Sequence, residues 1–174
     1  MVLSAVRAVF ITAAISVLAG CANSGSGNRS FMAASFEARS GSSVVGSVRV
    51  SRNGRQIRLR ATVSGLEPGS EHGFHIHEKG DCSAADASSA GAHFNPTGSA
   101  HGRYGAVPHH AGDLPSLIAN RQGVARVDAL LNGMDWDGGR GIKGRAIIVH
   151  AKPDDFTSQP AGNAGARVAC AAIG

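Results

Sequence analysis

One stretch of this chain, residues 73–113, holds most of its chemically distinctive side chains and decides what the rest must build around. It reads GFHIHEKGDCSAADASSAGAHFNPTGSAHGRYGAVPHHAGD. Six of the eight histidines lie in it, with one cysteine and a closing aspartate: His75, His77, His93, His101, His109, His110, Cys82 and Asp113. Imidazole is the commonest metal ligand, and its borderline softness favours zinc and copper over calcium or magnesium. The stretch therefore predicts a metal site.

The chain around this stretch has the composition of a scaffold of short strands. Of its 174 residues 43% are hydrophobic and only 5% aromatic, and 24 are glycines, which favours one domain of strands and turns. Residues 44–51 and 56–64 alternate apolar and polar side chains on either side of Asn53-Gly54, a strong hairpin signal. The pattern is typical of half-buried antiparallel strands.

Further strands are predicted at 34–39, 71–78, 117–119, 124–131, 145–150 and 167–173. Two long segments, 79–114 and 151–166, have no strand pattern, and long loops of this kind are usually functional. The predicted fold is therefore all-β: an eight-stranded Greek-key β-sandwich or flattened barrel that carries its function on two long loops.

The first twenty residues are predicted to be a lipoprotein signal peptide. Arg7 precedes an apolar run at 8–18, and Leu18-Ala19-Gly20-Cys21 resembles a bacterial lipobox, in which cleavage exposes a cysteine for lipidation. Residues 21–33 would then be the lipidated Cys21 and a flexible tether, and residues 34–174 the folded domain. With alanine after Cys21, the expected location is the periplasm or cell envelope, anchored to the outer membrane. An ordinary signal peptide with an incidental cysteine is the alternative.

Two cysteines remain after Cys21, namely Cys82 and Cys170. An even pair in an exported chain predicts one disulfide, against the alternative of two buried free thiols. The net charge of +5 is modest, and its basic residues are not interleaved with aromatics. We therefore expect no nucleic-acid partner; a weak field toward a small anion is the better use of this charge.

The candidate ligands outnumber one tetrahedral site. His75 and His77 lie two apart on a strand and so share a face. His93, His101, His110 and Asp113 of the loop make a closed set of four ligands that suits structural zinc. His150, at the end of a later strand, supplies one more imidazole. The count fits two metals with one histidine shared through both ring nitrogens, although spacing does not say which histidine.

Several motifs, in order, resemble those of the copper/zinc superoxide dismutases in their bacterial lipoprotein form: GFHIH (73–77), GAHFNP (91–96), HHAGDLP (109–115), GRAIIVHAKPDD (144–155) and GNAGARVACAAIG (162–174). The resemblance implies copper ligands at His75, His77, His93 and His150, and zinc ligands at His93, His101, His110 and Asp113. It makes His93 the shared, bridging histidine. It also implies that Asp154 hydrogen-bonds to His75 and His101, that Arg167 stands at the mouth of the copper site, and that Cys82 pairs with Cys170.

The implied activity is dismutation of superoxide to O2 and hydrogen peroxide by a Cu(II)/Cu(I) cycle, with one copper and one zinc per subunit. His93 would release copper and carry a proton, and Arg167 would hold the anion. A longer Cys82–His93 stretch and a shorter His150–Arg167 loop than in eukaryotic members fit the bacterial branch, in which both monomers and homodimers are expected. Two alternatives stay open: a copper/zinc-binding (buffering) protein on the same fold, and a copper-only relative.

Overall fold

The computed structural model describes residues 29–174, so the predicted signal peptide, Cys21 and the first part of the tether lie outside the described residues. Within residues 29–174 there is no α-helix, only a 3-10 turn at Ser88–Ala90, and no helix that could span a membrane. The nine strands are β1 (Arg29–Ala38), β2 (Val45–Asn53), β3 (Gln56–Ser64), β4 (Glu71–His72), β5 (Phe74–His77), β6 (Leu117–Ile118), β7 (Ala125–Leu130), β8 (Arg145–His150) and β9 (Arg167–Ile173).

Seven of these strands form one curled sheet, a half-barrel, in the order β5-β8-β9-β1-β2-β3-β7. Every pairing within it is antiparallel. Strands β4 and β6 form a separate two-stranded ribbon. The two long loops run between β5 and β6 and between β8 and β9. The prediction of an all-β barrel-like fold with two long loops is confirmed.

The core lies between the two halves of the curled sheet. Val50 of β2 and Leu59 of β3, both fully buried, pack in one cluster with Phe74 and Ile76 of β5. Burying a side chain of this size stabilises a fold by roughly 1.5–3 kcal/mol. Because side chains alternate along a strand, the inward Phe74 and Ile76 force the histidines beside them to the other face. Strand β5 thus presents its histidines to the loops.

Two predicted boundaries were wrong. Strand β1 begins at Arg29 rather than at 34, so residues 29–33 of the predicted 21–33 tether are strand. Residues 29–36 pair with 46–53, and this long-range ladder overrides weak local propensity. The predicted strand 71–78 divides at Gly73, which gives nine strands instead of eight. There the backbone leaves β6 and turns to β8, and a Cβ at Gly73 would lie 2.7 Å from that of Ala164.

Candidate metal centre

The structure brings the predicted ligands together as two buried groups whose ligand atoms lie within 4.8 Å of one another. The first group comes from β5, the long loop and the end of β8. We call it the HHHH cluster: His75, His77, His93 and His150. The second group lies on the long loop, and we call it the HHHD cluster: His93, His101, His110 and Asp113. His93 belongs to both. All seven residues are buried, with at most 5% of their surface exposed.

The HHHH cluster has four unsatisfied nitrogens that point at one another. They are His75 Nδ1 and the Nε2 atoms of His77, His93 and His150, which are buried and without a hydrogen-bond partner among the described residues. Leaving one buried polar atom unpaired costs about 1–3 kcal/mol. Four such atoms around one point are explained by a cation that accepts their lone pairs, and so these residues fit a metal ion.

The other nitrogen of each ring is held by the protein, which fixes where the free lone pair points. His77 Nδ1 donates to the carbonyl of Gly91 at 2.9 Å, and His150 Nδ1 donates to that of Gly165 at 3.1 Å. His75 Nε2 donates to Asp154 Oδ2 at 2.7 Å. Such outer partners set the tautomer and the ring orientation of metal-binding histidines.

In the HHHD cluster, the Nδ1 atoms of His93, His101 and His110 all converge on Asp113 Oδ1, at 3.1, 3.0 and 3.4 Å. The second oxygen of Asp113 accepts from the backbone N–H groups of Gly102 and His110 at 3.1 and 2.8 Å. Three imidazole nitrogens and one carboxylate oxygen form a closed four-donor set, the arrangement of a structural zinc site.

His101 supplies a separate test of metal fit. Its Nε2 faces Asp154 Oδ1 at 3.0 Å while its Nδ1 faces Asp113 Oδ1. A neutral imidazole has only one N–H, so one of these two contacts sets a lone pair against a carboxylate. A cation between Nδ1 and Asp113 removes that conflict, since both atoms then act as ligands.

The comparison with known proteins agrees with this geometry. The sequence profile of the family described as copper/zinc superoxide dismutase matches residues 44–173. This chain belongs to that family. It is similar to a superoxide dismutase (Cu-Zn) of Paramecium bursaria Chlorella virus 1, at 40% identity over 75% of this chain and 73% of the relative. It is also similar to superoxide dismutase (Cu-Zn) 2 of Aquifex aeolicus, at 36% identity over 75% and 79%.

Among solved structures, this member of the copper/zinc superoxide dismutase family is similar to a "SOD-like protein from Bacillus subtilis". Identity is 34% and the TM-score 0.72, over 81% of this chain and 97% of that one. The "clock protein EA4" gives 34% and 0.74, over 83% and 94%. The family's two metals, copper and zinc, match the two clusters in number and donor type. Relatives named dismutases and a protein named only dismutase-like are both similar to this chain, so similarity alone does not decide the function and the geometry of the site must.

Asp154 joins the two clusters of this dismutase-family site. Its two oxygens accept from His75 Nε2 and His101 Nε2. Burial would raise the pKa of Asp154, but these hydrogen bonds outweigh it and lower that pKa. Sequence reasoning missed Gly162, which packs directly on this bridge: a Cβ there would collide with Asp154 and with His101. Gly162 has a φ of 63°, which favours glycine. It belongs to the GNAGARVACAAIG motif, but the motif alone did not indicate this packing role.

Burial also sets the charge state of the HHHH cluster. Desolvation lowers the pKa of His77 to about 2, of His150 to about 3 and of His93 to about 4. Hydrogen bonding to Asp113 partly offsets the shift at His93. Burial would raise the pKa of Asp113, yet hydrogen bonds from His110 and His93 hold it well below its usual range. At neutral pH three of the four imidazoles are thus neutral bases, the form that binds metals.

Arg167 stands at the opening of the HHHH cluster, on a pocket of about 420 Å³ that His77, His93, His150 and Pro160 also line. Its guanidinium is held by two backbone carbonyls, that of Ala87 at 2.8 Å and that of Gly91 at 2.7 Å. Gly91 therefore positions both His77 and Arg167 through one oxygen. This link was missed because a carbonyl acceptor leaves no signature in the side-chain pattern.

The Cys82–Cys170 disulfide is present, as predicted, and ties the long loop to β9 over a sequence separation of 88. A contact that the sequence did not reveal, which we call the Arg39 clamp, reinforces it: Arg39, the residue that follows β1, donates from Nε to the carbonyl of Cys82 at 2.9 Å. The other two histidines, His72 and His109, stand outside both clusters. His72 donates to the carbonyl of His150 and contacts Ser70 Oγ, both at 2.7 Å, and His109 bonds to a neighbouring carbonyl.

Proposed function

We propose that this chain catalyses the dismutation of superoxide to O2 and hydrogen peroxide. The observation that carries the proposal is the set of four convergent, unpaired nitrogens of the HHHH cluster beside a guanidinium at an open pocket. That site joins a second, fully closed donor set through one shared imidazole. A redox metal at the first site and a structural metal at the second use every donor.

In this proposal the HHHH cluster holds copper and the HHHD cluster holds zinc. Copper, when bound, supplies reversible one-electron transfer, which zinc cannot. Two superoxide anions and two protons give one O2 and one hydrogen peroxide. One anion therefore loses an electron, and the other gains an electron and both protons.

Arg167 binds the anion in this proposal, and His93 handles a proton. The Arg167 guanidinium is fixed by the Ala87 and Gly91 carbonyls with its charge at the pocket, where charge-assisted hydrogen bonds to the anion are strongest. His93 is anchored through Nδ1 beside Asp113, so its Nε2 can accept a proton without the ring leaving its position. His93 and Arg167 line the same pocket, so in this proposal His93 delivers that proton to the reduced anion.

We also propose that the enzyme is a lipoprotein of the cell envelope, anchored at Cys21 to the outer membrane after removal of residues 1–20. The support is the Leu18-Ala19-Gly20-Cys21 sequence at the end of an apolar run. Detergent phase partition of the protein from cells tests it. The natural chain should carry lipid and enter the detergent phase, and Cys21→Ala should do neither. A natural chain without lipid would contradict the anchor.

The activity is tested by superoxide decay with the purified protein loaded with zinc alone, and then with copper and zinc. Fast, cyanide-sensitive decay is expected only with copper, above a control with the same copper free in solution. If both metals are shown to be bound and no rate exceeds that control, the proposal fails. The copper/zinc-binding alternative would then lead, and it has the support of a structural relative named only "SOD-like".

A further inference from the structure

The outer face of the β2–β3 hairpin and of β7 carries a concentration of arginine that the metal centre does not use. Residues 45–64 contain five arginines and no carboxylate. Four exposed side chains alternate with the buried ones on these strands, and we call them the arginine face: Arg49, Arg58, Arg60 and Arg126. Four cationic side chains on one side of a sheet make a local positive field.

Folding does not explain this face. Arg49 lies directly opposite Arg60 across the β2–β3 ladder, and like charges in that position destabilise a sheet. Asp128 on β7 pairs with Arg58 and Arg60, so one carboxylate stands against four guanidinium groups. Arg49 and Arg126 have no ion-pair partner between residues 29 and 174. The face therefore carries a surplus of about three positive charges.

Guidance of superoxide does not explain it either, because the arginine face and the metal centre lie on opposite sides of the core. The inward residues of the hairpin, such as Val50 and Leu59, belong to the same core cluster as Ile76 of β5. His75 and His77 alternate with Ile76 and so point away from that core, toward the loops. The thickness of the core separates Arg49 and its neighbours from the pocket of Arg167.

The shape and apolar content of the face indicate its partner. Small side chains of β1, β2 and β3, including Ala33, Ser47 and Thr62, floor a shallow depression of about 520 Å³ between the arginines. Phe31 and Val45 stand on the same side of the sheet, 59% and 47% exposed, and the Arg49 guanidinium lies 3.8 Å from the centroid of the Phe31 ring. Cationic groups around an exposed aromatic ring are typical of surfaces that lie on an anionic bilayer.

The course of the chain places this face near whatever holds the N-terminus. Strand β1 begins at Arg29, which pairs with Asn53 at the hairpin tip next to the exposed Arg55. The seven residues 22–28 reach at most about 25 Å when fully extended. A bilayer that held residue 21 would therefore lie within reach of the arginine face.

We propose that the arginine face, together with Phe31, docks on the headgroups of an anionic phospholipid bilayer and so turns the metal pocket toward the solution. The inference goes beyond the proposed function and does not depend on turnover. The guanidinium groups bind lipid phosphates, and the Phe31 ring enters the headgroup boundary. Each basic residue at such a surface strengthens binding about five-fold.

The test measures partition of the metal-loaded protein onto vesicles of phosphatidylcholine alone and of phosphatidylcholine with phosphatidylglycerol. The quantity of interest is the ratio of the two partition coefficients, because any N-terminal lipid contributes equally to both and cancels. Three proteins are compared: the natural chain, a face variant with Arg49→Gln, Arg60→Gln and Arg126→Gln, and a control variant with Lys79→Gln, Lys143→Gln and Lys152→Gln. The face variant keeps the Arg58–Asp128 pair, and the control loses the same charge from exposed loop positions.

We expect the face variant to lower the anionic-to-neutral ratio by about 100-fold and the control variant by less than about five-fold. Equal losses in both variants would mean that net charge alone drives binding and would overturn the proposal. A ratio near one for the natural chain would overturn it too. In that case, dissociation of a dimer by the face variant in sedimentation would identify a second copy of the chain as the occupant. A protein without dismutase activity can still pass this test, so the two proposals fail separately.

Discussion

At the scale of single residues, Asp154 shows how one carboxylate can order two metal sites. It accepts hydrogen bonds from His75 Nε2 at 2.7 Å and from His101 Nε2 at 3.0 Å. In Asp154→Asn the amide nitrogen must face one of these N–H groups, so one ring loses its orientation. We expect a loss of about 10–100-fold in metal affinity or activity, the usual effect of removing an outer-sphere partner.

Chelator competition with copper and zinc measures that loss, and Asp155→Asn is the matched control. Asp155 is the exposed neighbour, and its Oδ1 accepts from the N–H groups of Thr157 and Ser158, a role that an asparagine oxygen can keep. Equal metal affinity in the Asp154 variant and the natural chain would show that Asp154 does not order the clusters.

Arg167 leads to a prediction that separates substrate binding from metal binding. Its guanidinium contacts two carbonyls and lines the pocket, but it donates no ligand atom to either cluster. Arg167→Ile should keep both metals and lower the rate by about 10–100-fold, the value of a lost charged hydrogen bond. Pulse radiolysis at physiological salt gives the rate, with exposed Arg121→Ile as the control. An unchanged rate would remove Arg167 from the anion site.

At the scale of elements, the disulfide connects the long loop to the sheet. Cys170 lies buried in β9, and its bond to Cys82 fixes the segment that supplies the Ala87 and Gly91 carbonyls. For a sequence separation of 88, loop-closure entropy predicts a contribution of about 4–5 kcal/mol. Cys82→Ala with Cys170→Ala should lower the unfolding free energy of the metal-free protein by that amount in urea.

A second effect should accompany that loss, because Gly91 also orients His77. The double-alanine variant should bind copper more weakly than the natural chain while the zinc affinity changes less. Arg39→Gln provides the comparison, since it removes the Arg39 clamp on the Cys82 carbonyl and leaves the disulfide intact. If the double variant were as stable as the natural chain, the loop would be held by Arg39 and packing rather than by the disulfide.

The same elements show what the sequence can and cannot predict. Strands with regular alternation, such as β3, were predicted to the residue, because period-two burial is written into the chain. The start of β1 was not, since residues 29–33 become a strand only through the ladder with β2. The grouping of the histidines in the two clusters was predictable from residue type and motif. Gly162 and the Gly91 carbonyl were not, since a close approach and a backbone acceptor exist only after folding.

At the scale of the whole molecule, the buried histidines of the metal centre make the free energy of unfolding depend on pH. Burial lowers the pKa of His77 to about 2, of His150 to about 3 and of His93 to about 4, whereas unfolded histidine titrates near 6.5. At pH values between the folded and the unfolded pKa, the histidines are protonated in the unfolded chain and neutral in the folded chain. Unfolding therefore takes up protons, and the free energy of unfolding falls as pH falls. Each histidine contributes up to about 1.4 kcal/mol per pH unit within its window.

The metal-free protein should therefore lose unfolding free energy steadily as pH falls from about 6.5 toward 4, and change little between pH 7 and 8. Asp113 acts in the same direction at lower pH, below about 4, where an unfolded aspartate takes up a proton while the folded carboxylate, whose pKa its hydrogen bonds hold low, does not. Urea titrations at half-unit intervals of pH measure the slope, and the zinc- and copper-loaded protein is the companion sample. Protons and metals compete for the same nitrogens, so metal affinity should fall over the same interval. A metal-free protein whose stability stayed flat or rose from pH 6.5 to 4 would mean that these imidazoles are not buried as bases, and the argument for their convergence on a metal would fail with it.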